Sequence, residues 1–226
     1  PLMRQVAASG ALRAHTAERS WKEIERALLE PAPQVFVQVL QAADALDELL
    51  PGVVCTAELC AALQSAAADE RTLPVRWACL AHDLGKGTTP ADVLPRHIGH
   101  EERSVDLARQ VQQRLRVPSD CAELALMVAA EHGNIHRSPG IAAAAVVRLL
   151  ARCDAFRKPD RFAQALLACQ FAAQWRPGLG AKTYPQRAQP LPHLAAAPRA
   201  STKEGAARPA RTGLQAAPNG ATASQA

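Results

Sequence analysis

Through the first three quarters of this chain, apolar residues recur at spacings of three and four, the period of a helix with one buried face. Thr16 is suited to an N-cap and Glu18 to the positive end of a helix dipole. Trp21, Ile24 and Leu28 then continue one stripe until Pro31 stops it. Residues 34–43 carry the pattern on through Val35, Val39 and Leu40, and Leu46, Leu49 and Leu50 predict a short helical turn before Pro51-Gly52. Two further helices are predicted over 56–68 and 74–84. Pro74 opens the second and Gly85 closes it, which puts His82 and Asp83 in its last turn. After a loop rich in Gly, Pro and Thr, residues 100–116 are amphipathic, with Leu107, Ala108, Val111 and Leu115 on one stripe. Pro118 begins a helix running to about Glu131, and Gly133-Asn134 is expected to break it, leaving His132 and His136 on either side of a loop. Residues 141–153, with Asp154 at their exit, and 159–175 complete the pattern. From Pro177 onward Ala, Pro, Gly, Ser and Thr dominate without periodicity, and a disordered tail over 177–226 is expected.

Composition supports an all-α fold. One Tyr, four Phe and three Trp supply the aromatic mass among 226 residues rich in Ala and Leu, a balance suited to helix packing. The net charge of +5 suggests nucleic acid until it is located. Residues 177–226 hold six basic groups against Glu204, so residues 1–176 hold 20 of each sign and offer no global positive field. Arg4, Arg13, Arg19, Lys22 and Arg26 predict at most a local basic face, with Arg19 and Lys22 the candidates for RNA contact. The six cysteines show no Cys-x-x-Cys spacing, and reduced, mostly buried thiols in a cytoplasmic protein are expected. No stretch has the apolar length to cross a bilayer. The chain starts at Pro1, so a piece of a longer protein is expected.

The chemistry concentrates in His82-Asp83-Leu84-Gly85-Lys86-Gly87 and, just downstream, Pro95-Arg96-His97-Ile98-Gly99-His100. A mixed imidazole and carboxylate set suits Mg, Mn, Fe, Ni or Zn, and such an ion beside Lys86 and Arg96 makes phosphoester hydrolysis the natural chemistry. A lone His-Asp pair is weak support for that, because single histidines usually cap or decorate a surface.

The order of His-Asp, two further histidines, a later His pair and a distal Asp resembles the HD superfamily of metal-dependent phosphohydrolases, which are all-helical. Arg114-Leu115-Arg116-Val117-Pro118, Asp154-Ala155-Phe156-Arg157-Lys158-Pro159 and Glu18-Arg19-Ser20-Trp21-Lys22-Glu23, together with Pro33-Gln34-Val35-Phe36, extend the likeness. Jointly, over roughly residues 2–168, they resemble the C-terminal half of bacterial multifunctional CCA-adding tRNA nucleotidyltransferases. The resemblance implies a helical body over 1–52 that touches tRNA and an HD-type helical domain over 53–176. It implies His82, Asp83 and Asp154 as ligands of a divalent metal (Mg, Mn or Ni), with Lys86 catalytic beside His82 and Asp83. Arg96, His97, His100, His132 and His136 would line the site or hold ligands and phosphate. The implied reaction is hydrolysis of 2′,3′-cyclic phosphodiesters and phosphomonoesters, the small phosphoester substrates of that domain.

The chain departs from that pattern twice. No histidine lies between His15 and His82, and Val54-Cys55-Thr56 occupies the place of the family's first ligand, so Cys55 is the candidate replacement. Nor is there an Asp-x-Asp or a glycine-rich loop leading to one, so this polypeptide is not expected to add nucleotides. A non-catalytic tRNA-binding module and a stand-alone HD nucleotide phosphohydrolase are the competing readings.

Overall fold

A computed structural model describes residues 4, 5, 9, 16–175, 184 and 185. The tail expected over 177–226 lies outside the described residues except for Tyr184 and Pro185, and Arg13 lies outside them too. All regular structure among the described residues is helical, as the composition predicts. The order is α1 (Ala17–Leu29), α2 (Pro33–Ala42), α3 (Leu46–Leu49), α4 (Ala57–Ala68), α5 (Leu73–Ala81), a 3₁₀ turn (Leu84–Lys86), α6 (His100–Leu115), α7 (Ser119–Arg137), a second 3₁₀ turn (Ser138–Gly140), α8 (Ala143–Arg152) and α9 (Pro159–Gln174). None of the helices among the described residues is long and apolar enough to cross a membrane.

The entry to α1 follows the sequence closely. The Thr16 side chain accepts a hydrogen bond from the Arg19 amide at 3.3 Å, and Trp21, Ile24 and Leu28 are buried. Trp21 meets Trp77 of α5 edge to face, with ring centroids 5.2 Å apart. The buried Arg76 then donates to the Leu28 carbonyl at 2.8 Å and the Glu30 carbonyl at 3.2 Å, satisfying acceptors that the end of α1 leaves without helical partners.

Helix α5 is the axis of the fold. Every residue from Val75 to Ala81 is buried, because α1, α4, α7 and α9 pack around it. A single cluster of buried apolar residues runs from Trp21 to Phe171. Small side chains such as Ala66, Ala78, Ala125, Ala165 and Ala168 sit inside it, which lets the helices approach closely.

Two boundaries differ from the sequence expectation, and both matter for the site. Helix α5 ends at Ala81, so His82 caps it and Asp83 stands beyond it at φ −113°, in the turn leading to the 3₁₀ segment. Close packing fixes that turn. A Cβ on Gly85 would lie 2.3 Å from the His100 carbonyl oxygen and 2.6 Å from the Ser104 nitrogen, and the Gly85 amide donates to Ser104 Oγ at 2.9 Å. Helix α7, in contrast, does not break at Gly133-Asn134 but continues to Arg137. Asn134 is held along the helix, donating to Glu131 and accepting from Arg137, while a Cβ on Gly133 would stand 2.9 Å from Glu101 Oε1 of α6. The intrinsic cost of a mid-helix glycine, about 1 kcal/mol, is small enough for the packing of α7 against α5 and α6 to carry the helix through it.

Candidate metal centre

Three elements converge beside the C-terminal end of α5. The turn after α5 brings Asp83, the first residue of α6 brings His100, and the uninterrupted α7 brings His132. Asp83 Oδ1 lies 3.5 Å from His100 Nε2 and 3.4 Å from His132 Nε2, and the two imidazole nitrogens are 3.3 Å apart. His82 adds a third ring, its Nε2 3.1 Å from Asp83 Oδ2 and its face edge-on to His132. Lys86 Nζ donates to Asp83 Oδ2 at 2.6 Å.

The other side of each ring shows how the group is poised. His82 Nδ1 is 3.0 Å from the Cys79 carbonyl, His100 Nδ1 3.0 Å from the His97 carbonyl, and His132 Nδ1 3.0 Å from the Val128 carbonyl. A carbonyl only accepts, so these partners assign an Nδ1 proton in all three rings and turn each Nε2 toward Asp83, where a neutral ring presents a lone pair and a protonated ring an N–H. Lone pairs facing one another and a carboxylate at these distances repel unless positive charge lies among them. A metal-ligating imidazole almost always donates its other ring N–H to such an acceptor, which fixes the ring's orientation. On this observation the residues present fit a divalent cation.

Burial alone would push the Asp83 carboxyl up. Protonated, the adjoining His82 both attracts it and donates to it, and with His132 and Lys86 this holds it well below the ordinary carboxylate range, so it stands as an anion. The support extends outward. Glu131 receives Arg152 of α8 through two bonds, 2.6 and 2.9 Å long, beside His132. Burial pushes the Glu131 carboxyl up, but Arg152 and Asn134 outweigh it and the net shift is downward.

The other expected residues are more dispersed. His97 lines a cavity of about 490 Å³ together with His82, Asp83 and Lys86, and its Nδ1 is 2.7 Å from Thr89 Oγ1. His136, one turn beyond His132 on α7, has its Nδ1 2.7 Å from the Tyr184 hydroxyl. Arg96 is exposed on the loop before α6. Asp154 is not brought to the group. It follows α8 at φ 52°, and its carboxylate pairs with Arg157 at 3.1 Å and Arg161 at 3.6 Å. Cys55 is not brought there either: its Sγ lies 3.7 Å from Cys60 Sγ, while its neighbours Val54 and Thr56 line the cavity. Arg19 and Lys22 are exposed on α1, and Lys22 pairs with Glu25 at 2.8 Å.

One side chain that braces the site's loop has no counterpart in the sequence expectations. Arg103 donates to the Gly85 carbonyl at 3.2 Å, the Ile98 carbonyl at 2.8 Å and Thr89 Oγ1 at 3.0 Å, tying both ends of the loop that carries Lys86 and His97. Its position one turn into α6 from His100 was the available signal, but a helical arginine among glutamates reads first as a solvated charge.

Residues 53–158 match the family model described as HD domain. The wider resemblance holds as well. The chain is 51% identical over 222 residues to the multifunctional CCA protein of Polaromonas naphthalenivorans, covering 91% of this chain and 52% of that protein. It is 49% identical over 212 residues to the multifunctional CCA protein of Ralstonia nicotianae, covering 87% and 49%. With that of Verminephrobacter eiseniae the identity is 46% over 241 residues, covering 100% and 58%. The chain thus spans about half the length of the curated relatives it matches. No solved structure matches it.

Proposed function

We propose that this chain is the body and HD part of a CCA-adding tRNA nucleotidyltransferase of the cytoplasm, and that its HD site is a metal-dependent phosphohydrolase for 2′,3′-cyclic phosphodiesters and phosphomonoesters. The observation that carries this reading is the convergence of His100 Nε2 and His132 Nε2 on Asp83 Oδ1, each ring held by a backbone carbonyl behind it. Asp83, His100 and His132 would hold the cation, with His82 against the second Asp83 oxygen. A divalent ion there supplies Lewis acidity toward a phosphoryl oxygen and toward water.

The protein's own groups do the rest. The Lys86 ammonium, partly exposed beside Asp83, presents positive charge to an incoming phosphate. His97 lines the same cavity, and Thr89 fixes its ring. The apolar wall formed by Val53, Leu59 and Leu80 lowers the local dielectric and strengthens those charges. Arg103 keeps Lys86 and His97 in register by anchoring their loop. Hydrolysis of 2′,3′-cyclic AMP by the full chain in Mn, Ni or Mg tests the reading. Metal-stimulated turnover that disappears in Asp83→Ala is expected, and turnover that survives the substitution would reject it.

A non-catalytic tRNA-binding role has its own support, since Asp154 faces arginines and Cys55 faces Cys60, which leaves a small ligand set. In filter binding to tRNA, Arg19→Gln and Lys22→Gln are each expected to weaken affinity. Each should also reduce the slope of log affinity against log salt by about 1. A slope unchanged in both variants would remove α1 from the RNA contact.

A further inference from the structure

Cys55 and Cys60 stand together for a reason that the metal chemistry does not use. Thr56 caps α4, its Oγ1 accepting from the Leu59 amide at 3.1 Å, so Cys55 occupies the position just before the cap and Cys60 the fourth position inside the helix. Those two positions meet at the start of many capped helices, where a pair of apolar side chains staples the incoming chain to the first turn. Here both members of the staple are thiols, with Sγ atoms 3.7 Å apart. Both are half-buried and free, whereas Cys79, Cys121, Cys153 and Cys169 are buried.

We infer that Cys55 and Cys60 form a modification site, a vicinal dithiol that a small-molecule disulfide of the glutathione class converts to an intramolecular disulfide. The thiolate of one cysteine attacks a sulfur of the small disulfide, forming a mixed disulfide and releasing one small thiol. The second cysteine then loses its proton, attacks the protein sulfur of that mixed bond and expels the other small thiol. The protein dithiol is oxidised by two electrons and the small disulfide is reduced to two thiols. Burial and the neighbouring Cys60 thiol push the Cys55 thiol up to about 11, which keeps the first step slow at neutral pH. The same high pKa makes Cys55 a poor leaving group, so the closed bond resists reduction.

The bond would act on the cavity wall. Val53, Val54 and Thr56 flank Cys55, Glu58 and Leu59 precede Cys60, and all five line the cavity that also holds His82, Asp83 and Lys86. Closing the staple covalently pins that wall to the first turn of α4, without touching the imidazole group.

The test uses the full reduced chain, incubated with oxidised glutathione in mildly alkaline buffer, quenched in acid, unfolded and alkylated. Peptide mass spectrometry is expected to show Cys55 linked to Cys60 with the other four cysteines alkylated. Cys55→Ser and Cys60→Ser should each stop at a glutathione adduct on the remaining thiol. Backbone hydrogen exchange across residues 54–60 should slow several-fold in the oxidised protein and return to its starting rate on reduction. A lasting glutathione adduct in the unsubstituted chain, or a bond between other cysteines, would overturn the assignment. So would exchange across 54–60 that oxidation leaves unchanged. None of these readouts depends on phosphoester hydrolysis, so this inference and the proposed activity stand or fall separately.

Discussion

Asp83 and Asp154 hold equivalent places in sequence and opposite ones in chemistry. Each follows a helix end, α5 for Asp83 and α8 for Asp154, and neither lies in regular helix. Asp83 is ringed by His82, His100 and His132, with Lys86 on its outer oxygen. Asp154 is held between Arg157 and Arg161. The difference lies in what the neighbours can become. An imidazole whose Nδ1 is already bonded can offer its other nitrogen as a lone pair, so a carboxylate among imidazoles makes a donor set for a cation. A guanidinium has no lone pair and does not give up its proton, so a carboxylate between arginines is already neutralised. Two aspartates that the family pattern groups together therefore part company on the identity of the side chains facing them.

The largest expected effect breaks that contrast directly. In calorimetric titration with Mn or Ni, Asp83→Asn should weaken binding by about a hundredfold or more, while Asp154→Asn should stay within about threefold of the unsubstituted chain. Equal losses in the two variants would mean that Asp154 swings into the site when metal arrives, and the contrast would fail.

A smaller effect sharpens the comparison in the metal-free protein. The Asp83 pKa is depressed by folding, so its ionised form stabilises the native state at pH values above the ordinary carboxylate range. That contribution is lost as pH falls from about 4 toward the depressed value. The stability difference between the unsubstituted chain and Asp83→Asn, measured by urea unfolding, should therefore shrink steadily below about pH 4. A difference that stayed constant down to acid unfolding would show that the imidazole ring does not hold Asp83 ionised.

Much of this was legible before any coordinates. The cap at Thr16, the stripe of Trp21, Ile24 and Leu28, and the apolar periods over 56–68 and 159–175 all act locally, and local rules predicted those helices to within a residue or two. The end of α5 and the continuity of α7 have different causes. The backbone of α6 presses on Gly85 and fixes the turn after α5, whereas α7 runs on through Gly133 because a single glycine costs a helix only about 1 kcal/mol, less than packing supplies. Reading Gly133-Asn134 as a break separated His132 from His136 and hid the helical face that delivers His132 to Asp83.

The sequence by itself determined an all-helical chain, an HD pattern and the short list of side chains able to bind a cation, because periodicity and residue chemistry are properties of the chain alone. Only the tertiary structure decided which of those side chains meet. His100 and His132 reach Asp83 from residues 17 and 49 positions away, Asp154 turns to its arginines, and Cys55 turns to Cys60. The meeting of His100 and His132 with Asp83 depends on how α6 and α7 pack against each other and against the end of α5 and its 3₁₀ turn, and contacts so distant in sequence leave no local pattern from which to read them.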